Sequence, residues 1–332
     1  MMAAPDGQLL DLRHVVKEFD VTRGVIARKV GSIKAVSDVS LTIKRRETFG
    51  LVGESGCGKT TLGRLVVALE KPNSGEIWFD GDNLALIKRG RLRDVRKKMQ
   101  LMFQDPYSSL DPRMRVLQIL SEPLAIHRIG NARQRRDRVA QLLKEVGLSP
   151  RAIERYPHEF SGGQRQRIGL ARALALSPTL IVADEPVSAL DVSIRSQILN
   201  LMNKLQETHD LTYIVISHDL GVIRYVSDRI GVMYLGKLVE VGPASAVYNH
   251  PAHPYTEGLL SSVPVPDPKV ERAKAARVVR GELPSPMNPP SGCRFRTRCP
   301  FAKEICAEVE PPLRKFETGQ EAACHFPLQK PA

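Results

Sequence analysis

Short apolar runs that are followed by loop residues and then by helical periodicity recur over about the first 250 residues. This order of strand, loop and helix predicts a mainly parallel sheet with helices on its faces. The clearest strand candidates are TFGLV at 48–52, LIVAD at 180–184 and YIVIS at 213–217.

Other segments break this rhythm. Residues 35–41 alternate between apolar and polar side chains, as a half-buried strand does, and residues 231–241 predict a hairpin that turns at Gly236–Lys237. From about 105 to 160 the chain is rich in Arg and Gln with helical spacing, which indicates a helical insertion. Residues 251–290 hold many prolines, which favour extended linkers and turns.

The 332-residue chain has the apolar content of a globular protein, with 42% hydrophobic and 26% charged residues. No stretch approaches the roughly 18 uninterrupted apolar residues of a membrane span. The N-terminal sequence MMAAPDGQLLDLRH lacks a basic region followed by an apolar run, so it predicts no secretion signal. We therefore expect a cytoplasmic protein, which would work at a membrane by docking on a partner that spans it.

The formal net charge of +13 (49 − 36) favours polyanionic partners such as nucleotides, nucleic acids and acidic lipid headgroups. The densest basic run, Lys88–Lys98, is equally consistent with a solvated helix face. Aromatic residues make up only 5% of the chain and do not alternate with basic ones, which argues against a platform for single-stranded nucleic acid.

Residues 53–60 (GESGCGKT) fit the pattern G-x-x-x-x-G-K-[ST] of a phosphate-binding loop, between an apolar strand and an amphipathic helix. Glycines let successive backbone N–H groups face the phosphates at a helix N-terminus. Lys59 should reach the β- and γ-phosphates, and the Thr60 hydroxyl should bind Mg²⁺. The predicted nucleotide-binding residues here are Gly53, Glu54, Ser55, Gly56, Cys57, Gly58, Lys59, Thr60 and Thr61.

Two acids end the apolar run at 180–184. Asp184 can hold Mg²⁺, directly or through water, and Glu185 is placed to polarise an attacking water. The plainer alternative is a strand that ends at the surface, where acidic residues are common.

A second candidate anion site lies at Ser161-Gly162-Gly163-Gln164, before a helix over 168–176. Two glycines at a helix start expose N–H groups beside a serine hydroxyl. An ordinary serine-capped helix would account for this segment by itself, but not for all three motifs in this order. Together they resemble the phosphate loop, the acidic strand end and the signature sequence of ABC ATPases.

The resemblance implies further site residues. Gln104 matches the glutamine that joins the core to the helical subdomain and contacts Mg²⁺ or the lytic water. His218 matches the switch histidine at the γ-phosphate, and residues 188–191 (SALD) match a loop that crosses the dimer interface. Phe19 is the aromatic expected to stack on adenine, with a packed core aromatic as its alternative.

The resemblance also implies an α/β fold: a P-loop ABC ATPase core whose mainly parallel sheet carries an antiparallel β subdomain. We expect residues 1–104 and 161–250 to form the two parts of this core. Residues 105–160 would form the helical subdomain, and residues 251–332 a proline-rich linker and a small cysteine-containing extension.

Features of the tail resemble the ATPases of bacterial dipeptide and oligopeptide importers. They are Tyr255 within HPYT and the stretch GELPSP at 281–286. The long segment between Phe19 and Ala35 resembles that of the second of the two ATPase types that those importers carry. The implied function is to hydrolyse ATP in order to power peptide import. Related importers of nickel, glutathione or sugars stay as alternatives.

The implied partners are a second ABC ATPase subunit (of the same or another chain), two transmembrane permease subunits and an extracytoplasmic solute-binding protein. The chain would sit peripherally on the cytoplasmic face of the cell membrane. A short helix of each permease would dock near Gln104, where Tyr107, Leu110 and Met114 offer contacts.

Two other functions compete with this one. A nucleic-acid-associated ABC ATPase would suit the positive charge, but only 56 residues separate Gln104 from Ser161, which is too few for a long inserted coiled coil. A cassette that binds ATP without hydrolysing it would be expected to lack Glu185 or His218, and both are present. We therefore expect no nucleic-acid partner.

Cys293, Cys299, Cys306 and Cys324 are spaced C-x5-C-x6-C-x17-C. This spacing lacks the paired C-x2-C knuckles of a zinc ribbon, and four thiolates suit zinc or iron–sulfur equally. The alternatives to a metal centre are four reduced thiols or a disulfide pair. The family resemblance favours a [4Fe–4S] cluster with a structural role, since the tail lies far in sequence from every ATP motif. Three nearby arginines, Arg294, Arg296 and Arg298, would offset the thiolate charge and depress the thiol pKa values.

Overall fold

The computed structural model describes residues 7–23, 28–103, 110–188, 190–262 and 281–330. Within these residues, the chain folds into two compact units. The first comprises residues 1–43, 48–85 and 217–332, and the second comprises residues 44–47 and 86–216.

The described residues contain twelve strands, ten α-helices and two short 3-10 helices, Pro150–Glu154 and Pro157–Glu159. The strands are β1 (Gln8–Arg23), β2 (Arg28–Lys44), β3 (Thr48–Val52), β4 (Ser74–Phe79), β5 (Asp82–Asn83), β6 (Met99–Met102), β7 (Leu180–Asp184), β8 (Thr212–Ser217), β9 (Arg229–Tyr234), β10 (Lys237–Pro243), β11 (Leu313–Lys315) and β12 (Glu321–Ala323). The helices are α1 (Lys59–Val66), α2 (Arg89–Lys98), α3 (Val116–Ile126), α4 (Ala132–Glu145), α5 (Gly162–Leu174), α6 (Val192–His209), α7 (Leu220–Val226), α8 (Ala244–Asn249), α9 (Pro254–Ser261) and α10 (Ile305–Glu308).

The antiparallel β subdomain of the first unit is a sheet in the order β2-β1-β4-β5. Its strand β2 contains the predicted half-buried segment. Ser37, Val39 and Leu41 are buried, while Asp38 and Ser40 face solvent, so residues 37–41 alternate as predicted. Val36 departs from the alternation, because it is buried as well.

The remaining strands of the first unit run in the order β11-β12-β10-β9-β3. Strands β3 and β9 are parallel, with Phe49 opposite Arg229, and β9 and β10 form the predicted hairpin. Its turn lies one residue earlier than predicted. Tyr234 pairs with Lys237, so the two turn residues are Leu235 and Gly236. Both have positive φ, of 43° and 83°, as the tight turns that suit a twisted hairpin require.

The second unit contains three parallel strands in the order β8-β7-β6, with Met99 opposite Leu180 and Leu180 opposite Thr212. Every residue of β7 and β8 is buried, which explains their uninterrupted apolar sequences. The basic run over 88–98 folds as α2 and buries only Val95, so the solvated helix face is confirmed. None of the described helices has the length and apolar character that crossing a membrane requires.

Leu110 does not lie on an exposed face, as a docking contact would require. Its side chain is only 2% exposed, so it contributes to the core of the second unit. Met114 is half-buried, and Tyr107 lies outside the described residues. A charge at Leu110 would therefore disrupt the packing of this core.

Glu240 joins the β9–β10 hairpin to the C-terminal extension. The side chain is fully buried, and its carboxylate accepts hydrogen bonds from the N–H groups of Ala252 and His253, at 2.8 and 2.9 Å. It also accepts one from Nε2 of Gln320 at 3.1 Å. Burial raises the pKa of Glu240 from 4.5 to about 7, despite these donors. A single buried carboxylate thus binds two separate parts of the tail to the core.

We expect Glu240→Gln to remove a pH-dependent part of the stability. Because the folded pKa lies above the unfolded value, this contribution is fully present below about pH 4.5 and is lost as pH rises through about 7. The difference in unfolding free energy between wild type and Glu240→Gln should fall by about 2–3 kcal/mol from pH 5 to pH 8. Chemical denaturation across this range measures it. Glu321→Gln, on the facing strand, is the control, and a difference that stays constant with pH would contradict the prediction.

Candidate functional site

The predicted phosphate-binding loop joins β3 to α1 within the first unit. At two positions the loop has no room for a side chain. A Cβ on Gly53 would lie 2.1 Å from the carbonyl oxygen of Met233, and one on Gly58 would lie 2.0 Å from that of Ala35. Gly58 also takes φ of 110°, at the N-cap of α1. Glycine is therefore required at both positions by close backbone contacts as well as by conformation.

Lys59 lies at the first position of α1 with its side chain turned back on the loop. It is 6% exposed, and its Nζ donates to the carbonyl oxygens of Gly53 and Glu54, at 2.6 and 2.9 Å. Both acceptors are neutral. These two bonds therefore hold the Lys59 ammonium at the loop without neutralising its charge, and phosphate binding requires that charge.

Cys57 contributes to the packing of the loop. Its side chain is 1% exposed, and its carbonyl oxygen accepts a hydrogen bond from the N–H of Gly236 at 2.8 Å. Burial raises the pKa of the Cys57 thiol, although neighbouring Lys59 opposes this. The thiol is therefore a small apolar filler in the loop.

The C-terminal extension contacts this loop directly. The Tyr255 hydroxyl accepts a hydrogen bond from the N–H of Glu54 at 2.9 Å, and the Arg298 guanidinium binds both carboxylate oxygens of Glu54 at 2.8 and 3.1 Å. Distance along the sequence gave no indication of these contacts. Tyr255 stood out only as a family feature, and Arg298 only as one arginine among the cysteines.

Phe19 lies on β1 in the first unit with an exposed ring. It is 37% exposed, and the Lys17 ammonium sits over the ring at 4.8 Å from its centroid. Lys17 is held in turn by Glu70 at 3.0 Å. The ring is not packed in the core, so the alternative interpretation is wrong.

Asp184 and Glu185 end β7 in the second unit and are both buried. Glu185 takes φ of 51°, a left-handed conformation that is uncommon for a residue with a side chain. Its N–H donates to the carbonyl oxygen of Ile216, at the end of the neighbouring strand, at 2.9 Å. Strained backbone at a strand end that carries two buried acids is typical of functional sites, and it argues against a strand that simply reaches the surface.

The predicted signature segment begins helix α5 in the second unit. Ser161 is the exposed N-cap, and its side chain and that of Gln164 form a reciprocal capping box. Gly163 packs against α6, where a Cβ would lie 2.5 Å from Cγ2 of Ile194. The glycine is thus needed for helix packing, while Ser161 and Gly162 stay accessible at the helix N-terminus.

The other predicted site residues lie at element ends. In the second unit, Ser188 and Asp191 follow Glu185, and Asp191 is the N-cap of α6. In the first unit, His218 is exposed directly after β8. Gln104 and Ala189 lie outside the described residues. The first unit therefore carries Phe19, the phosphate-binding loop and His218, and the second carries the acidic strand end and the signature helix.

The four cysteines of the tail, 293 to 324 in the sequence, come together in the first unit. All four line one small cavity together with aromatic side chains that include Phe295, Phe301 and Phe326. None is in a disulfide. Among the described residues, no group of three or more His, Cys, Asp or Glu side chains is arranged to hold a metal ion. The donor set thus converges on one cavity without forming a closed single-ion site.

The arginines near these cysteines do not act as expected. Arg294 donates to the carbonyl oxygen of Leu235, Arg296 donates to that of Ser291, and Arg298 binds Glu54. Burial instead raises the pKa of Cys293 to about 11 and of Cys324 to about 12, and neighbouring thiols add to the rise. The predicted depression of the thiol pKa values is therefore wrong for these two cysteines, because burial favours the neutral thiol.

Comparison with known proteins adds two family matches. The family described as ABC transporter matches residues 36–188, and that described as oligopeptide/dipeptide transporter, C-terminal region, matches residues 239–306. Oligopeptide transport ATP-binding protein AppF of Bacillus subtilis is 52% identical over 98% of this chain and 99% of its own. A probable peptide ABC transporter ATP-binding protein of Sinorhizobium fredii, y4tS, is 48% identical over 96% of this chain and 89% of its own.

Solved structures with the same fold include a dimeric post-hydrolysis state of the ATP-binding cassette MJ0796, bound to ADP and Pi. The TM-score is 0.63 at 31% sequence identity, over 71% of this chain and 99% of that chain. The cbiO1 protein of Clostridium perfringens, part of a cbiONQ transporter complex, gives a TM-score of 0.63 at 25% identity, over 74% and 92% of the two chains.

Two glycines of the loop should respond differently to alanine. At Gly58 an added Cβ meets backbone at 2.0 Å, whereas at Gly56, where φ is 78°, it meets nothing within 4 Å. Gly56→Ala should therefore cost only the left-handed conformation, about 1–2 kcal/mol of unfolding free energy. Gly58→Ala should cost about 3 kcal/mol or more, because backbone must move. Denaturation of the nucleotide-free proteins measures both, and equal losses would refute this account of the loop.

Proposed function

The chain belongs to the ATP-hydrolysing subunits of ABC transporters with an oligopeptide/dipeptide-type C-terminal region, and from this premise we propose that it powers peptide import. The observation that carries the proposal is the likeness to peptide-transport ATPases over nearly the whole of both chains, extension included. The solute itself is bound by other subunits, so the peptide assignment rests on this likeness.

ATP binds, in this proposal, with its adenine on Phe19 and its phosphates on the loop from Gly53 to Thr61. The exposed ring of Phe19 supports the first role, and the close backbone contacts at Gly53 and Gly58, which fix the loop, support the second. Thr60, Asp184 and Gln104 would hold Mg²⁺, which would supply positive charge to offset the charge on the phosphate oxygens. Lys59 adds a second cation at the same oxygens.

Glu185 acts as the base that orients and deprotonates the attacking water, and His218 and Gln104 complete the catalytic group. The buried carboxylate of Glu185 and its left-handed backbone support a fixed catalytic position. Positioning and charge stabilisation account for most of the catalysis in phosphoryl transfer.

A second ATPase subunit, identical or different, supplies the other half of each site. The accessible N-terminus of α5, with Ser161, Gly162, Gly163 and Gln164, would bind the γ-phosphate held by the partner's loop. The dimeric state of the MJ0796 cassette supports the pairing of two such subunits. Loss of the γ-phosphate bridge on hydrolysis would open the dimer and drive the membrane subunits.

The same proposal assigns two transmembrane permeases and an extracytoplasmic solute-binding protein as partners, and a peripheral position on the cytoplasmic membrane face. It divides the chain into core segments 1–104 and 161–250, a helical subdomain at 105–160 and an extension at 251–332. Helices α3 and α4, which fall within 116–145, support the helical subdomain.

We also propose that Cys293, Cys299, Cys306 and Cys324 hold a [4Fe–4S] cluster. Their convergence on one cavity supports it. A cluster of four irons holds its thiolates farther apart than one ion does, which is compatible with the lack of a single-ion geometry among the described residues. The raised thiol pKa values imply that loading releases protons, since the ligands must be thiolates.

Glu185→Gln tests the catalytic proposal. The amide keeps the shape of the side chain but cannot take a proton, so ATP binding should persist while turnover falls about 100-fold or more. Equilibrium nucleotide binding and phosphate release, in the assembled transporter with the partner's site also blocked, measure the two effects. Glu207→Gln, an exposed change on α6, should leave both unchanged. Near-wild-type hydrolysis by Glu185→Gln would remove Glu185 from catalysis.

Metal analysis after anaerobic purification tests the cluster. We expect about four irons and four sulfides per chain, with broad visible absorbance, and loss of all three signals in Cys299→Ser/Cys306→Ser. Cys57→Ser, in the phosphate-binding loop, should keep its iron. Stoichiometric zinc would favour the simpler metal site, and a protein with neither metal would refute a metal centre.

A further inference from the structure

Arg298 connects the cysteine-bearing extension to the phosphate-binding loop. Its side chain is 8% exposed, and its Nη1 and Nη2 lie 2.8 and 3.1 Å from the two carboxylate oxygens of Glu54. Two parallel bonds between a guanidinium and a carboxylate are charge-assisted and fix direction as well as distance. A lysine could not reproduce this geometry.

The guanidinium is supported by a turn that the cysteines delimit. Arg298 directly precedes Cys299, and its N–H donates to the carbonyl oxygen of Phe295 at 3.0 Å. The N–H of Cys293, two residues before Phe295, donates to the carbonyl oxygen of Cys306 at 2.8 Å. The turn that presents Arg298 is therefore closed by backbone bonds at the cysteines.

Aromatic packing holds the same turn against the loop. Phe295 is buried and packs against Tyr234 and Tyr255, with ring centroids 5.3 Å apart in each pair. Arg298 lies 5.8 Å from the centroid of the Tyr234 ring, and Tyr255 accepts the hydrogen bond from Glu54 N–H. Glu54 is thus fixed at its backbone by one tail residue and at its side chain by another.

The charge of Glu54 explains why the loop needs this contact. A carboxylate beside a site for a polyanion repels the ligand or competes for its cation. Lys59 donates a hydrogen bond to the backbone carbonyl oxygen of Glu54. The Glu54 carboxylate and the Lys59 ammonium therefore belong to the same short loop. Arg298 neutralises the carboxylate and fixes its direction, which leaves Lys59 to the phosphates.

We propose that Arg298 is a positioning residue for ATP binding, which acts through Glu54 and does not touch the nucleotide. This inference rests on the proposed ATPase function. It assigns to the extension a part in nucleotide affinity, in addition to whatever its cysteines bind.

Five variants in the assembled transporter test it: Arg298→Gln, Arg298→Lys, Glu54→Gln, the double change Arg298→Gln/Glu54→Gln, and the control Lys303→Gln. Lys303 is an exposed cation of the same extension that lies over the Phe326 ring. The readouts are KM for ATP, kcat, and equilibrium binding of a non-hydrolysable ATP analogue.

Arg298→Gln should raise KM and the dissociation constant about tenfold with kcat within about twofold, while Lys303→Gln stays at wild type. In the Glu54→Gln background, Arg298→Gln should raise KM by about twofold or less, because the carboxylate charge that Arg298 neutralises is then absent. A general loss of packing would not show this rescue. Arg298→Lys should lie between wild type and Arg298→Gln, with KM raised about threefold. If Arg298→Gln does not fold, Arg298→Lys replaces it in the test.

Unchanged KM in Arg298→Gln or, should that variant not fold, in Arg298→Lys would overturn the inference. An effect that is undiminished in the Glu54→Gln background would overturn it too. Failure of the wild-type transporter to bind the analogue would instead refute the proposed ATPase function, so the two failures are distinguishable.

Discussion

The first unit depends on one constraint: the backbone of neighbouring strands must approach the phosphate-binding loop so closely that no side chain fits between the strands and the loop. Carbonyl oxygens of Ala35 and Met233 lie where a Cβ on Gly58 or Gly53 would be. Strands from the antiparallel subdomain and from the β9–β10 hairpin therefore both pack against the loop. Its N–H groups can face a phosphate only because neighbouring strands fix the loop from behind.

Much of this arrangement could be predicted from local sequence. The strands β3 and β7 have the predicted bounds, since a short apolar run between loop residues is a strong local signal. The loop motif and the Ser161 capping box are also encoded within a few residues. The hairpin turn was displaced by one residue, because the strand register, and not the glycine by itself, decides which pair of residues takes positive φ.

Other features depend on neighbours that are distant in sequence and could not be found this way. Leu110 follows a polar stretch, yet it is buried by contacts that no local pattern reveals. The pKa values of Cys293 and Cys324 follow burial, which the sequence does not reveal, and not the charge of the arginines that neighbour them in the chain. The fixed, left-handed backbone of Glu185 likewise comes from tertiary structure, since nothing in the side chain favours it.

The contact between Arg298 and Glu54 has two ends, and a coupling free energy has the same size from either of them. If the ordered extension strengthens nucleotide binding, then bound nucleotide stabilises the extension by the same factor. Cys293 and Cys299 flank the turn that holds Arg298, so in protein from which the metal centre has been removed, nucleotide occupancy would set how readily an alkylating reagent reaches their thiols. Thiol labelling of the tail would then report on a loop that lies 244 residues earlier in the chain.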